Sequence, residues 1–411
     1  MTRPRATVKI KCTPDDFLVE ELTGVVPGRE GAFALYRLTK TGLGTMEAAE
    51  RIARAWDIGQ RRISYGGLKD RHARTVQHLT IARGPRRDLD LGTLALEYLG
   101  AVEHPFAPPA IAGNRFTVVI RDLGAESIAH AAPLLDAIAR DGLPNYFDNQ
   151  RFGSVGSSGE FAAAAWIKDD FEGALRLALA APHPHDRAQQ RGIKEALRAH
   201  WGDWKACKAA LPRSHERTIV TYLCERPADF RRAFARLRQR VRSLYLAAFQ
   251  SLLWNDVLAR WLAGECPAER LVPLPLRFGP APFFGELDDD LRGRVHAARL
   301  PLPSARLRDA EPGIMRFIDA ALAARGLELR DLRIKYPKDN FFSKGDRAAA
   351  VLPARLSHAA AGDERYPGRV KLTLAFDLPR GAYATLLVKR LGPAIDRGIV
   401  LGDDEEDPAA C

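Results

Sequence analysis

Cysteine is scarce in this chain and follows no pattern. The 411 residues hold five (Cys12, Cys207, Cys224, Cys266 and Cys411) and no Cys-x-x-Cys pair. That argues against a structural zinc site and a disulfide framework, and it suits a reducing cytoplasm. Long apolar runs are missing too. None reaches the roughly 18 residues of a membrane span. The basic start Met1-Thr2-Arg3-Pro4-Arg5 leads into no apolar stretch, so no secretory signal is expected. No internal repeat of fixed period is present. Gly153, Gly156 and Gly159 are not followed by Lys-Ser or Lys-Thr, so they make no phosphate cradle. His183-Pro184-His185 has no third ligand near it and reads as a surface loop, so no metal is expected. A Ser-His-Asp arrangement is equally unsupported.

What is present is a basic protein of ordinary globular composition, 46% hydrophobic and 27% charged, long enough for two cores. Its net charge of +11 points to a polyanionic partner. Between Arg187 and Arg242 there are 15 Lys or Arg against 5 Asp or Glu, a surplus of ten. That window reads as a phosphate-binding surface. Asp403-Asp404-Glu405-Glu406-Asp407 opposes it, near the end of the chain, as an acidic and disordered tail.

Strand and helix signals divide the chain into three. Phe17–Glu21, Ala32–Tyr36, Ile63–Tyr65, Val76–Ile81 and Phe116–Arg121 have strand character. A helix begins at Thr45, with Met46, Ala49, Ile52, Ala53 and Trp56 on one stripe, and another covers Glu126–Arg140. From about Gly159 to Arg330 helical patterns dominate. The proline-rich stretches Leu271–Leu276 and Phe278–Pro282 interrupt them. Strand character returns from Ala348, clearest in the alternation of Val370–Phe376. Ala359–Gly368 reads as an exposed loop. The expected architecture is therefore one domain of mixed α and β structure, interrupted by a mostly helical insertion.

One short segment carries candidate chemistry. In Gly67-Leu68-Lys69-Asp70-Arg71-His72-Ala73, a carboxylate sits between two cations, after a glycine pair and ahead of a strand. Neighbouring positive charge favours the ionised form. Asp70 is thus suited to act as a nucleophile, a general base or an ion-pair partner. A surface turn with a solvated Lys-Asp-Arg triplet would look the same on spacing alone.

Four segments in order resemble one family. They are Gly67–Ala73, Gly113-Asn114-Arg115-Phe116, Asn145-Tyr146-Phe147-Asp148-Asn149-Gln150-Arg151-Phe152-Gly153, and Phe376-Asp377-Leu378-Pro379-Arg380-Gly381-Ala382-Tyr383-Ala384-Thr385. Together they resemble the TruD family of RNA pseudouridine synthases. The likeness covers most of residues 10 to 160 and 330 to 392. It is weaker between these, where Ala248–Asn255 carries it. The resemblance implies an α+β fold: a pseudouridine-synthase catalytic domain on a curved antiparallel sheet, interrupted by a family-specific, mostly helical domain. On that basis the catalytic domain is expected over 1–155 and 331–395, the insertion over 156–330 and the tail over 396–411.

The resemblance also implies an activity, the isomerisation of uridine to pseudouridine in RNA, at uridine 13 of tRNA in the best-known bacterial case. It implies no cofactor and no metal. The expected partner is tRNA; no membrane and no protein partner is implied, and a monomer in the cytoplasm is expected. Breaking the bond between uracil N1 and the ribose builds positive charge on the sugar, which a carboxylate can trap or stabilise. Asp70 matches the family's catalytic position, and attack on the ribose and removal of a sugar proton both remain open. Lys11 matches the cation that pairs with it. Phe17, Phe116 and Tyr383 match pocket aromatics, and stacking offsets roughly 1–3 kcal/mol per base of the work of extruding a nucleotide. Phe116 has no hydroxyl and is limited to stacking. Asn114 matches a residue that hydrogen-bonds the Asp or the base. Lys69 and Arg71 flank Asp70, but neighbouring side chains on an extended loop point away from each other, so both are expected to meet RNA phosphates. Arg151 is a further candidate for the RNA backbone, although its surroundings also suit packing of the insertion. Three rivals stay open. They are a non-catalytic RNA-binding protein or chaperone on this fold, the same chemistry on another RNA, and a nucleosidase with Glu20 or Glu21 as its acid.

Overall fold

The computed structural model describes residues 9–71, 73–308 and 311–395. The acidic tail expected at 396–411 lies outside them, as does His72. The chain forms two compact units, one of residues up to Leu143 together with those from Val351 onward, the other of Pro144–Ala350. The insertion is therefore longer at both ends than its helical texture suggested. Non-helical pairing explains the difference. The Asn145 amide N–H donates to Ala349 O at 2.8 Å, and Arg347 Nε donates to Asn145 O at 2.9 Å. These bonds tie Asn145–Phe152 and the stretch up to 350 into the second unit.

The first unit is built on a ten-stranded sheet. In chain order its strands are β1 (Lys9–Ile10), β2 (Phe17–Thr23), β3 (Phe33–Thr41), β4 (Ile63–Tyr65), β5 (Arg74–Ala82), β6 (Leu89–Asp90), β7 (Leu94–Val102), β8 (Ile111–Leu123), β9 (Ala354–Gly362) and β10 (Val370–Pro379). Across the sheet the order is β9-β10-β8-β2-β5-β3-β7-β6, with β1 also on β8 and β4 also on β5. The pairings are antiparallel except β2 with β5, which run parallel. Parallel neighbours need a crossover, and here it includes α1 (Thr45–Ala55). Helices α2 (Ala125–Asp141) and α3 (Ala384–Ile395) pack on each other, and Ser127 Oγ donates to Ile395 O at 2.6 Å.

Alternation on β3 sets the sheet's inner face. Ala34, Tyr36 and Leu38 pack with Leu79, Ile81, Leu94 and Leu96 beneath Ala48, Ala49, Ile52 and Ala53 of α1. Met46 is not part of that stripe and is exposed. The proline-rich stretches do interrupt the helices, and one further expectation is corrected. Leu271–Leu276 and Gly279–Phe284 form a hairpin in the second unit, with Pro273 opposite Pro282 and Pro275 opposite Pro280. A two-stranded ribbon has only edges, so the missing proline N–H groups are tolerated. Of the loop expected over Ala359–Gly368, the first four residues belong to the strand Ala354–Gly362, and only 363–368 lie outside a strand. That strand borders β10 with nearly every side chain exposed, so no alternation marked it.

The second unit is organised on a 27-residue helix, Gln239–Glu265. Phe249, Leu253, Trp254, Val257, Leu258 and Leu262 are buried, and Tyr245, Gln250 and Ser251 are buried as well, so the helix is covered on most sides. Cys207, Cys224 and Cys266 carry free thiols. Among the described residues no helix is long and apolar enough to cross a membrane, and no three His, Cys, Asp or Glu side chains are grouped to hold a metal.

Candidate active site

Asp70 lies in the loop that enters β5, next to the end of β3, because Thr41 and Arg74 are register partners. Gly66 starts this loop against packed side chains. A Cβ there would come within 2.6 Å of the Ile111 side chain, so a larger residue would displace it. Lys11 follows β1, and its backbone is left-handed at φ 59°. A non-glycine residue adopts that region at a cost of about 1 kcal/mol or more. Its ammonium donates to Asp70 Oδ2 at 2.8 Å, with the Lys11 side chain 5% and the Asp70 side chain 21% exposed. The same ammonium lies 4.6 Å from the centre of the Phe17 ring.

The aromatic residues follow from sheet register. Val19 of β2 stands opposite Phe116 of β8, and Phe116 stands opposite Phe376 of β10. Phe17 meets Phe116 edge-on at 6.2 Å between centroids, and Phe116 stacks on Phe376 at 5.6 Å. Phe17 and Phe116 are both buried in this ladder. Gly113, just before Asn114, is needed for close approach, since a Cβ there would sit 2.5 Å from Leu378 O. Tyr383 is half-buried at the start of α3.

The cations beside Asp70 behave differently from the sequence expectation. Lys69 does not project toward solvent. Its ammonium pairs with Glu21 Oε2 at 3.1 Å and donates to Asn114 Oδ1 at 2.5 Å, and its side chain is only 9% exposed. Glu21 and Asn114 are register partners on β2 and β8, which places both beneath the loop. A lysine so committed cannot serve as a phosphate contact. Asn114 therefore reaches Asp70's neighbour. Arg71 pairs with Glu47 Oε2 of α1 at 2.5 Å and stays partly exposed. Arg151 belongs to the second unit, where its Nε donates to Ser251 Oγ at 2.9 Å and its guanidinium lies over Phe147.

Burial pushes the Glu21 carboxyl up, but bonds from His78 and the Lys69 ammonium outweigh burial and hold it below the ordinary glutamate range. The His78 amide N–H donates to Glu21 Oε1 at 2.9 Å. This ionised state does not suit the proton donor that the nucleosidase alternative required of Glu21. Thr45 completes the support by accepting from the Lys69 amide at 2.9 Å and donating to Gln77 Oε1 at 2.8 Å.

Two participants were missed by sequence reasoning. Phe376 was quoted only as part of a motif. Lys40 was not singled out, although it continues the inward alternation of Ala34, Tyr36 and Leu38 and so belongs to the buried face. Its ammonium donates to Asp70 O at 2.9 Å and to Leu43 O at 2.5 Å.

This arrangement offers an ion-paired carboxylate at a loop, held from below by a second buried ion pair and bordered by aromatic rings. The sequence model of the family described as tRNA pseudouridine synthase D (TruD) matches residues 1–273. The chain belongs to the TruD family. Among relatives of this TruD chain, "Probable tRNA pseudouridine synthase D 1" of Methanococcus maripaludis is 28% identical over 400 residues, covering 93% of this chain and 99% of the relative. The "tRNA pseudouridine synthase D" of Leptospira interrogans is also 28% identical, covering 93% and 95%. The crystal structure of the TruD protein of Methanosarcina mazei superposes with a TM-score of 0.70 over 94% of each chain, at 24% identity, and shows the shared TruD fold.

Proposed function

We propose that this chain isomerises uridine to pseudouridine in tRNA, at uridine 13, with Asp70 as the catalytic residue. The observation that carries the reading is the 2.8 Å pair of Lys11 with Asp70 beside the Phe17 ring, within the stretch that the TruD family model matches. The reaction is an isomerisation, so no co-reactant is consumed. The C1′–N1 bond breaks, the base turns, a C1′–C5 bond forms, C5 loses its proton and N1 gains one. The Asp70 carboxylate acts on the ribose during cleavage, by attack at C1′ or by taking a sugar proton. Lys11 neutralises that carboxylate where it is partly withdrawn from water. Tyr383, which is half-buried, provides stacking for the extruded uracil, while Phe17 and Phe116 are buried in the aromatic ladder with Phe376.

The second unit supplies cations for the RNA backbone. Lys205, Arg213, Arg238 and Arg240 are exposed and make no ion pair among the described residues. Other residues of the basic window are committed internally. Arg242 is buried against Asp339 and Asn340, and Lys194 pairs with Asp186 at 2.7 Å.

Carbodiimide primer extension on tRNA transcripts tests the reading directly. Wild-type protein should produce a stop at position 13, absent with Asp70→Asn and with a transcript carrying cytidine there. A stop elsewhere would keep the chemistry and replace the target. No stop on any RNA that the protein binds tightly would favour a binding protein instead.

A further inference from the structure

Lys40 is the most deeply buried cation of the first unit that the mechanism above leaves unused. It is 1% exposed. Lysine is almost never buried to this extent without partners, because taking an ammonium out of water costs several kcal/mol. Its register partners on both sides are neutral, Thr75 on β5 and Leu94 on β7. The residues of α1 packed over this face, Ala48, Ala49 and Ile52, are apolar. The compensation comes from two main-chain carbonyls, Leu43 O and Asp70 O. The second of these belongs to the proposed catalytic residue itself.

Asp70 is thus gripped twice. Lys11 holds its carboxylate and Lys40 holds its backbone carbonyl. The two grips differ chemically. The first neutralises the reacting group, whereas the second fixes where the loop places it. A charge-assisted bond is roughly twice as strong as a neutral one, so the grip on the carbonyl depends on the protonation of Lys40. We propose that Lys40 is a positioning residue of the active site, which in its charged form locks the main chain of Asp70 and loosens that lock when it loses its proton.

This inference rests on the functional reading above. The charged groups that act on Lys40 all come from the Asp70 loop. Burial lowers its pKa most, the Asp70 carboxylate opposes that, and Arg71 and Lys69 add to the lowering, leaving it at about 8 rather than 10.5. A folded value below the unfolded one has a definite sign. Between about 8 and 10.5 the unfolded chain binds the extra proton, so this group makes the fold more stable as pH rises. Activity and stability should therefore move in opposite directions across that window, which no general loosening of the protein would produce.

The test is single-turnover pseudouridine formation on tRNA from pH 6.5 to 9.5, for wild type, Lys40→Met and Lys40→Arg, with tRNA affinity and thermal unfolding measured alongside. Wild type should lose about tenfold in rate across an alkaline limb near pH 8, with stability level or rising. Lys40→Met should be slower by about 100-fold at pH 7, as expected for a misplaced reacting group, with affinity for tRNA within about twofold and no limb. Lys40→Arg, charged throughout this range, should recover part of the rate and also lack the limb. A limb that persists in either variant, or a Lys40→Met rate close to wild type, overturns the proposal. If Lys40→Met fails to fold, Lys40→Arg decides alone. If wild type makes no pseudouridine, the functional reading falls, and the carboxyl carbon of Asp70 decides the coupling. Observed by NMR with labelled aspartate and identified by its loss in Asp70→Asn, it should shift with a midpoint near pH 8 in wild type and not in Lys40→Arg. A flat wild-type signal overturns the proposal without reference to activity.

Discussion

The two units of this molecule differ in how much of their charge is buried. In the first, ionised groups are buried and paired: Lys11 with Asp70, Lys69 with Glu21, and Arg121 with Asp16 and Asp363. In the second, the largest buried side chains are aromatic, among them Trp166, Trp254, Phe234 and Phe283, while much of the basic surplus is exposed. The difference teaches what each charge can do. A buried pair in the first unit is anchored in one geometry and can orient a reacting group. An exposed arginine in the second contributes little to folding but is available to a polyanion. Removing a charge should therefore abolish chemistry in one unit and weaken binding in the other.

Asp70→Asn is the strongest way to sharpen that comparison. Pseudouridine formation should fall below detection, while tRNA affinity by filter binding stays within about threefold. Parallel losses of both would dissolve the contrast. Lys11→Met comes next. It leaves the Asp70 carboxylate without its cation, and the rate should drop by about 100-fold or more, corresponding to about 3 kcal/mol of transition-state stabilisation. A variant that keeps the wild-type rate would show that the pair is structural.

Glu21→Gln tests the lower pair by stability. With Lys69 left buried and uncompensated, urea unfolding should report a loss of about 3 kcal/mol at pH 7. The sign with pH is fixed by the lowered Glu21 value. The unfolded chain takes up the proton first as pH falls below the ordinary 4.5, so the ionised pair's contribution is present above that pH and is lost on further acidification. The variant should show a shallower acid slope than wild type, and an equal slope would remove Glu21 from the account. The smallest effect belongs to the second unit. Reversing Lys205, Arg213, Arg238 and Arg240 to glutamate should weaken tRNA binding by about tenfold or more and flatten the salt dependence of affinity. Saturating single-turnover chemistry and thermal stability should change little. Unaltered affinity would detach this surface from the RNA.

Much of this was legible in the sequence, for identifiable reasons. Elements came through where a pattern of one period ran without interruption, as in Thr45–Ala55 and Val370–Pro379. The insertion was visible as a change of texture, but its ends at Pro144 and Ala350 were not, because short extended segments set them. The pairing of the proline-rich stretches was not anticipated, and Ala359–Gly362 reads in the sequence as part of a loop, for one shared reason. Each lies in an edge strand whose side chains carry no alternating burial. At the site, Asp70 and its pairing with Lys11 were expected from the family likeness, whereas the inward turn of Lys69 was not. Adjacent residues on an extended segment point to opposite sides, but that rule does not say which side is the interior.

By itself the sequence determined the family, the division into a mixed α/β unit and a helical insertion, the basic balance, and the identity of Asp70 as the residue to examine. All of these are encoded in the order of residue types along one segment at a time. Only the tertiary structure decided the partners: Glu21 and Asn114 beneath Lys69, Glu47 beside Arg71, and Lys40 under the Asp70 carbonyl. Glu21, Lys40 and Asp70 lie on β2, on β3 and in the loop before β5, and sheet pairing brings them together across long sequence separations. Pairing energies between distant charges depend on distance and burial, and neither quantity exists until the sheet has formed.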